Sequence, residues 1–514
     1  MFKSSITSYY QLQNRLKLKI IYMRIISEFE TQFKLGQESL SKIKLDYKSR
    51  DDITKLLLGL QHIASHETVM SQVFHILQEQ IAIKEIGRSG MSLWRILVLG
   101  LLRQVLNTDY DRLCNLANNH IELRKFLGHG MIDNQDSYSL QTIKDNITLL
   151  GEEVLDKINI LMVQEAHTIL DSRLTNRINI KTDSFVVKSN VHYPTDTSLL
   201  FDAMRYLINL IATPANKHGL SGWRENKYYI RKIRALKRKC TSIKRSTSKI
   251  EEIIAKRDLL IAEAHRELID LCQFTLKKLK GTFELLKQAN YITSKQIDLF
   301  QEFISHSHRQ MDQIYRRIIL KEAIPHHEKL FSLFNPFTEW ISKGKAGVPV
   351  ELGLRVSIST DQHGFILTHR TMEKEQDVDV AIPMIQKAKE NFANIYSASF
   401  DRGYYSPLNQ IELGKLVTKL IMPKKGKSSK RVQQQIISDN EYKVLRKKHS
   451  AVESNINALE CHSLDRCPDR GIEKFRKYIS MSILAHNIHN IGTLVQTKLL
   501  QKERRCKQSI PIAA

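Results

Sequence analysis

The feature that most constrains this chain is where its period changes. Most of its 514 residues read as helix, with apolar positions three or four apart. At 178–188, "INIKTDSFVVK", the spacing drops to two: Ile178, Ile180, Thr182, Ser184 and Val186 alternate with Asn179, Lys181, Asp183, Phe185 and Val187. Alternation with β-branched content predicts a strand. It returns in "PVELGLRVSIST", with Val350, Leu352, Leu354, Val356 and Ile358 on one face and Glu351, Arg355 and Ser357 on the other. "DQHG" then makes a turn and "FILTHRTM" a return strand, which is a hairpin. A helix is expected over "DVDVAIPMIQKAKENF". "NIYSASFD" follows as a short buried strand ending at Asp401. Ser406 as N-cap and Pro407 at the first helical position start the next helix, and Gly414 is expected to end it. "KLVTKLIMP" is a further strand, and the stretch from about 440 to 500 is helical.

The remaining segments fall around this pattern. After an N-terminal helical extension (1–36), residues 37–175 read as a helical domain. It includes "DDITKLLLGLQHI" and "MSLWRILVLGLLRQVL", the latter with Ser92 as N-cap. DNA binding and plain packing explain this domain equally well, since no sharp helix-turn-helix signature is present. The first strand occupies 176–197, where Pro194 and Thr195-Asp196 give turn and cap signals. A basic helical or coiled insertion covers 198–335, the remaining strands and helices 336–495, and a basic tail 496–514. Removing the insertion leaves the order β-β-β-α-β-α-β-α. That is the ribonuclease H-like order, a mixed sheet flanked by helices. The expected fold is therefore mixed α/β and helix-rich: a ribonuclease H-like catalytic core, a helical N-terminal domain, and a large helical insertion between the first and second strands.

Composition narrows the partners. The formal net charge of +25 attracts polyanions, nucleic acid first among them. The six cysteines show no CxxC pair and no disulfide framework, which fits a reducing, cytoplasmic setting. Cys461, His462 and Cys467 lie close together, but no second ligand pair sits at finger or ribbon spacing. The N-terminus lacks a basic–apolar–small signal pattern, and "LWRILVLGLLRQVL" is short and broken by Arg95 and Arg103. No membrane role is implied.

The chemistry-bearing residues are carboxylates. In the ribonuclease H-like order, Asp183 on the first strand, Asp401 after the fourth and a carboxylate on a late helix would converge at one sheet edge. "KKHSAVESNINALECHSL" offers Glu453 on a helix face with Arg446, His449, Asn457 and Glu460, while Ala451, Val452, Ile456 and Leu459 lie on the other side. Alone, such a glutamate is an ordinary solvated residue; in this order it completes a three-carboxylate set. Magnesium takes hard oxygen ligands and keeps waters for phosphate. Two such ions about 3.5–4 Å apart serve an in-line phosphoryl displacement. Candidate DNA-backbone contacts are Lys232, Arg234, Lys237 and Arg238 on the insertion, Lys343 and Lys345 in "SKGKAG", and Lys424, Lys425, Lys427, Lys430 and Arg431. Arg446 and His449 join them, His449 as a residue orienting phosphate or water. Trp94 and Trp340 read as core anchors.

Five motifs in order resemble a known family. "TDSFVVKSNVHYPTDTSLL", "KGKAGVPVELG", "SFDRGYYS", "LIMPKKGK" and "HSAVESNINALECHSLDRCPDRG...ILAHNIHNIG" together look like a bacterial insertion-sequence transposase of the DDE class, from about residue 85 to 495. By that resemblance Asp183, Asp401 in "DRGY" and Glu453 in "AVES" match the catalytic, metal-binding triad. It implies two Mg²⁺ ions, with Mn²⁺ in substitution, and no small-molecule cofactor. The implied partners are DNA, as element ends and target, and further copies of the chain in a dimer or higher synaptic complex. The implied setting is the bacterial cytoplasm and nucleoid. Such enzymes are endonucleases in transposition and DNA recombination: they bind terminal inverted repeats, free a 3′-hydroxyl and join it to target DNA. This chain departs from the pattern twice. Many relatives carry a tyrosine–arginine–glutamate–lysine set on the last helix, whereas Tyr442 and Arg446 are spaced differently and Glu460 stands near the expected lysine. The insertion also follows the first strand, so Asp196 remains an alternative to Asp183. Open rivals are an inactive DNA-binding derivative, a ribonuclease H-like nuclease or resolvase that does not join strands, and a helical scaffold built on 205–290.

Overall fold

The computed structural model describes residues 24–29, 37–81, 90–130, 137–170, 177–244, 248–342, 350–426 and 439–508. The chain divides into two compact units: one of Met1–Asn190 with Gly353–Ala514, the other of Val191–Leu352. The second unit thus covers slightly more than the insertion expected at 198–335.

In the first unit, the described residues before the sheet form α1 (Asp52–Ala64), α2 (Glu67–Gln80), α3 (Leu93–Val105), α4 (Tyr110–Asn119), α5 (Ile121–Phe126), α6 (Leu140–Ile147) and α7 (Glu152–Ile169). Side-chain caps define their starts: Asp51, Ser92, Asp109 and Ser139 each accept a backbone N–H from the first turn of the following helix. The apolar run read as a core helix is α3, buried on nearly every side. Trp94 anchors it, its indole Nε1 donating to the Phe126 carbonyl at 2.6 Å.

Strand β1 (Ile178–Ser189) follows. The chain then enters the second unit through α8 (Asp196–Lys217), α9 (Asn226–Ile243), α10 (Glu251–Gln288), α11 (Ser294–Ile314) and β2 (Glu339–Ser342). The four helices share a core of their own that includes Leu207, Trp223, Leu268 and Leu279. Phe283 and Phe300 stack in it with ring centroids 3.9 Å apart.

The first unit resumes with β3 (Val350–Thr360), β4 (Ile366–Met372), α12 (Asp377–Asn391), β5 (Ile395–Phe400), α13 (Pro407–Leu416), β6 (Lys419–Ile421), α14 (Asn440–His449), α15 (Ala451–Leu459), β7 (Arg466–Cys467) and α16 (Ile472–Gln508). The strands lie where alternation places them. β3 pairs antiparallel with β4 and with β1, while β5 runs parallel to β1 and β6 parallel to β5. The result is a mixed open sheet that runs β4-β3-β1-β5-β6, with β2 also paired to β3 and the short β7 parallel to the far end of β1. Both faces of its centre are covered, so the alternate residues of β3 (Ser357 and Ser359 as well as Val356 and Ile358) are all buried.

Several local expectations need correction. Gly414 does not end α13, which continues to Leu416 with Gly414 in open space and without a positive φ. The stretch from about 440 to 500 is helical but is broken at Ser450, by a π-helical turn at Glu460–Leu464 and by β7. The segment expected as a basic tail is, up to Gln508, the end of α16. That helix crosses α1 with backbones touching. A Cβ on Gly59 would lie 2.2 Å from the Ile488 carbonyl oxygen, and one on Gly492 would lie 1.7 Å from that of Lys55. Only glycine fits either side of so close a crossing. No helix among the described residues is long and apolar enough to cross a membrane.

Candidate active site

The sheet sets two of the three expected carboxylates side by side. β1 and β5 are parallel neighbours with Thr182 opposite Phe400. Asp183 is the next residue of β1 and Asp401 the first residue past the end of β5, so both follow that pair directly. Asp183 is partly buried and Asp401 exposed, because β5 ends at Phe400 and the chain turns away through a 3-10 turn, Arg402–Tyr404. Glu453 is exposed in the first turn of α15, a helix that packs against β1 through its opposite, apolar side of Val452 and Leu459.

The electrostatics tie these groups together. The Asp183 carboxyl is pushed up from 3.8 to about 6, first by desolvation and then by the negative fields of Asp401, Asp377 and Glu453. A backbone N–H from Ser184, at 2.8 Å from Oδ1, works the other way. The three expected carboxylates nevertheless do not bring one oxygen each within 4.8 Å of one another. Among the described residues, the sets that do are Asp52 with His462 and His489, and His62 with His66 and Glu165.

Asp377, at the first position of α12, is the member that sequence reading missed. Ser184 Oγ donates to its Oδ1 at 2.7 Å. Tyr404 lies in the same field, its hydroxyl 2.9 Å from Ser357 Oγ, and burial with the negative charge of Asp377 raises its ionisation well above the ordinary tyrosine range. The signal available was an acidic residue at a helix start directly after the hairpin, and that signal is common.

Gly403 also belongs here, for a different reason than a turn. Its φ is not positive, but a Cβ on it would lie 2.9 Å from Asp377 Oδ2. The glycine lets the 3-10 turn close against that carboxylate.

The cations divide into those beside the carboxylates and those elsewhere. Arg446 donates through Nη1 to the Phe400 carbonyl at 3.0 Å and places Nη2 3.8 Å from Asp401 Oδ1, so it braces the strand end. Lys425, exposed like Lys424, donates to the Gly403 carbonyl at 3.4 Å. Lys181 is buried, its ammonium lowered by desolvation while Asp361 pulls it back up. His449, expected to orient phosphate or water, does not reach the surface. It is buried against β5 with Nδ1 2.9 Å from Ser399 Oγ, and burial and Arg446 push it down to about 4, so it is neutral near pH 7.

In the second unit, Lys232, Arg234 and Arg238 are exposed on α9 and Lys237 is half-buried. Three of these four cations also lie over rings: Lys232 over Tyr228, and Arg234 and Lys237 over Phe201. They therefore pack the bundle as well as charge its surface. Asp196, the alternative to Asp183, is engaged by Arg317 at 2.7 Å within that unit. Trp340 is half-buried against Tyr193 and Phe331. Lys343, Lys345, Lys427, Lys430 and Arg431 lie outside the described residues. The Cys461–His462–Cys467 grouping does not form: Cys461 is exposed, while Cys467 is buried on β7 with its thiol pushed up to about 12.

Comparison with protein-family models, with curated proteins and with solved structures finds no match to this chain.

Proposed function

We propose that this chain is a metal-dependent DNA transposase of the DDE class, with Asp183, Asp401 and Glu453 as its catalytic carboxylates on a ribonuclease H-like core. One observation carries the reading. Two aspartates directly follow a facing pair of residues on adjacent parallel strands, with a helix-borne glutamate within their field, and Asp183 is raised to about 6 by that company and by burial. The strand order β4-β3-β1-β5-β6, in which β3 alone runs against the other four, supports the fold assignment.

The donor set suits magnesium. All donors are hard carboxylate oxygens, and their mutual repulsion is what a divalent cation relieves. Asp183, Asp401 and Glu453 would hold the ions, which supply nucleophile activation and leaving-oxygen stabilisation in an in-line displacement at phosphorus. The protein's own groups do the rest. Arg446 fixes the β5 end that carries Asp401. Ser184, next to Asp183 on β1, donates to Asp377 and fixes that carboxylate in the cluster. Lys425, at the Gly403 carbonyl, sets positive charge beside the carboxylates for a phosphate backbone, and the exposed cations of α9 add a salt-sensitive DNA surface on the second unit.

The test uses purified full-length protein and DNA flanking its reading frame, with Mg²⁺ or Mn²⁺. Cleavage followed by strand-transfer products is expected, and Asp401→Ala should lose both while still binding DNA. Metal-dependent cleavage by the Asp401→Ala protein at a substantial fraction of the wild-type rate would overturn the reading. Cleavage without joining would indicate a nuclease, and binding without cleavage a non-catalytic derivative.

A further inference from the structure

His462 has neighbours that its sequence position does not suggest. It sits in the π-helical turn Glu460–Leu464, directly after the helix that carries Glu453. Its Nε2 is 3.9 Å from Asp52 Oδ2, at the first position of α1. His489 on α16 places its own Nε2 3.1 Å from Asp52 Oδ1. The two imidazoles stand edge to face, 4.9 Å between centroids, and the three ligand atoms all lie within 4.8 Å of one another.

Three further observations show that this arrangement is built in. Ser463, next to His462, has φ 119, a conformation that non-glycine residues avoid. It is held there by buried bonds: its Oγ donates to Gln104 Oε1 at 2.8 Å and lies 3.0 Å from Ser482 Oγ. Second, the Nδ1 atoms of His462 and His489 are buried without a hydrogen-bond partner, so Nε2, facing Asp52, is the engaged nitrogen of each ring. Third, the backbone contact of α1 with α16 at Gly59 and Gly492 fixes Asp52 and His489 relative to each other. Lys55 bonds Asp52 Oδ1 at 3.0 Å and leaves Oδ2 toward His462.

We propose that Asp52, His462 and His489 form a second metal site, distinct from the three-carboxylate cluster, that takes one zinc ion and ties the turn behind the Glu453 helix to α1 and α16. Two imidazoles and one carboxylate suit zinc among divalent ions, with a fourth position for water on the half-exposed Asp52 side. The other three-ligand group, His62, His66 and Glu165, is less suited. There His66 is exposed and its Nδ1 bonds the His62 backbone carbonyl at 2.9 Å, a group that is no part of the ligand set, whereas the His489 Nε2 proton faces the ligand Asp52 itself and is given up when a metal takes its place.

The experiment is zinc retention by the full chain. Protein stripped with chelator is dialysed against Zn²⁺, then against metal-free buffer, and its metal content is measured. Cobalt substitution read by visible absorption serves as an independent probe. Wild type should retain one equivalent, as should His62→Gln and the Asp183→Asn/Asp401→Asn double variant. The His462→Gln/His489→Gln variant should lose it, along with the rise in melting temperature that Zn²⁺ gives wild type. If circular dichroism shows that variant unfolded, Asp52→Asn is read in its place, with the same loss expected. No zinc on wild type, full retention by these variants, or loss in His62→Gln instead would each overturn the proposal.

Discussion

Replacing Asp183 by asparagine should stabilise the metal-free protein at neutral and alkaline pH. The carboxyl titrates near 6 in the folded chain against an ordinary value of 3.8. The folded state therefore holds this proton more tightly than the unfolded state does. Below about pH 3.8 both states are protonated and nothing is lost. As pH rises through 6 the folded state must carry a charge that burial and the fields of Asp401, Asp377 and Glu453 oppose, and above that the loss is constant. A shift of about two units corresponds to about 3 kcal/mol at ~1.36 kcal/mol per unit, trimmed to about 2–3 kcal/mol by the side chain's partial solvent contact. Asparagine keeps the one good contact, since its carbonyl oxygen can still accept the Ser184 N–H now bonded at 2.8 Å.

The assay is thermal unfolding in chelator at pH 8 and pH 5. Asp183→Asn should melt a few degrees above wild type at pH 8, and the free-energy gap should fall to about half at pH 5. Adding Mg²⁺ should raise wild type and leave the variant nearly unchanged, narrowing or reversing the gap, because only a form that binds the ion gains from mass action. A variant that is less stable than wild type at pH 8 in chelator, or a gap that does not vary with pH, would refute the electrostatic reasoning. A gap that Mg²⁺ leaves untouched would instead separate the strained carboxylate from metal binding.

Two other substitutions probe the same cluster. Gly403→Ala puts a Cβ 2.9 Å from Asp377 Oδ2 and should cost about 1–2 kcal/mol in unfolding experiments. Combining it with Asp377→Ala should recover at least about 0.5 kcal/mol beyond additivity, since the two residues are in contact. Arg446→Ala removes the donor to the Phe400 carbonyl and the cation nearest Asp401, so DNA cleavage should fall more than ten-fold while DNA binding at moderate salt changes little. A matching loss in binding would make Arg446 a phosphate contact rather than a brace.

What could be read from sequence and what could not follow one physical division. Strand β1 and the hairpin are legible because period two has no other structural use over so many residues, and Asp401 stands out because a carboxylate ends an apolar strand. The partners of those residues are illegible because they are set by tertiary approach. Ser184 meets Asp377 across 193 positions, and Asp52 meets His489 across 437. His449 shows the limit from the other side. Helical spacing puts it on one face with Glu453, but the break at Ser450 and the packing of α14 on β5 turn it inward to Ser399.

Gly403 owes its place to a neighbour rather than to its own backbone. A glycine after a strand-ending aspartate invites an argument from backbone freedom or from room for a phosphate, yet its backbone is of a kind any residue adopts. The constraint is a neighbour that arrives from α12, and it matters because that neighbour is the acidic residue that helps raise Asp183. The short turn after β5 therefore serves two purposes at once: it carries Asp401 out to solvent and it admits Asp377 behind it. If that is correct, bulk at position 403 should displace Asp377 and weaken its field on Asp183. The titration of Asp183, followed by carboxyl carbon NMR, should then move down from about 6 toward its ordinary 3.8 in Gly403→Ala. An unmoved titration alongside a loss of stability would mean that the glycine serves packing alone.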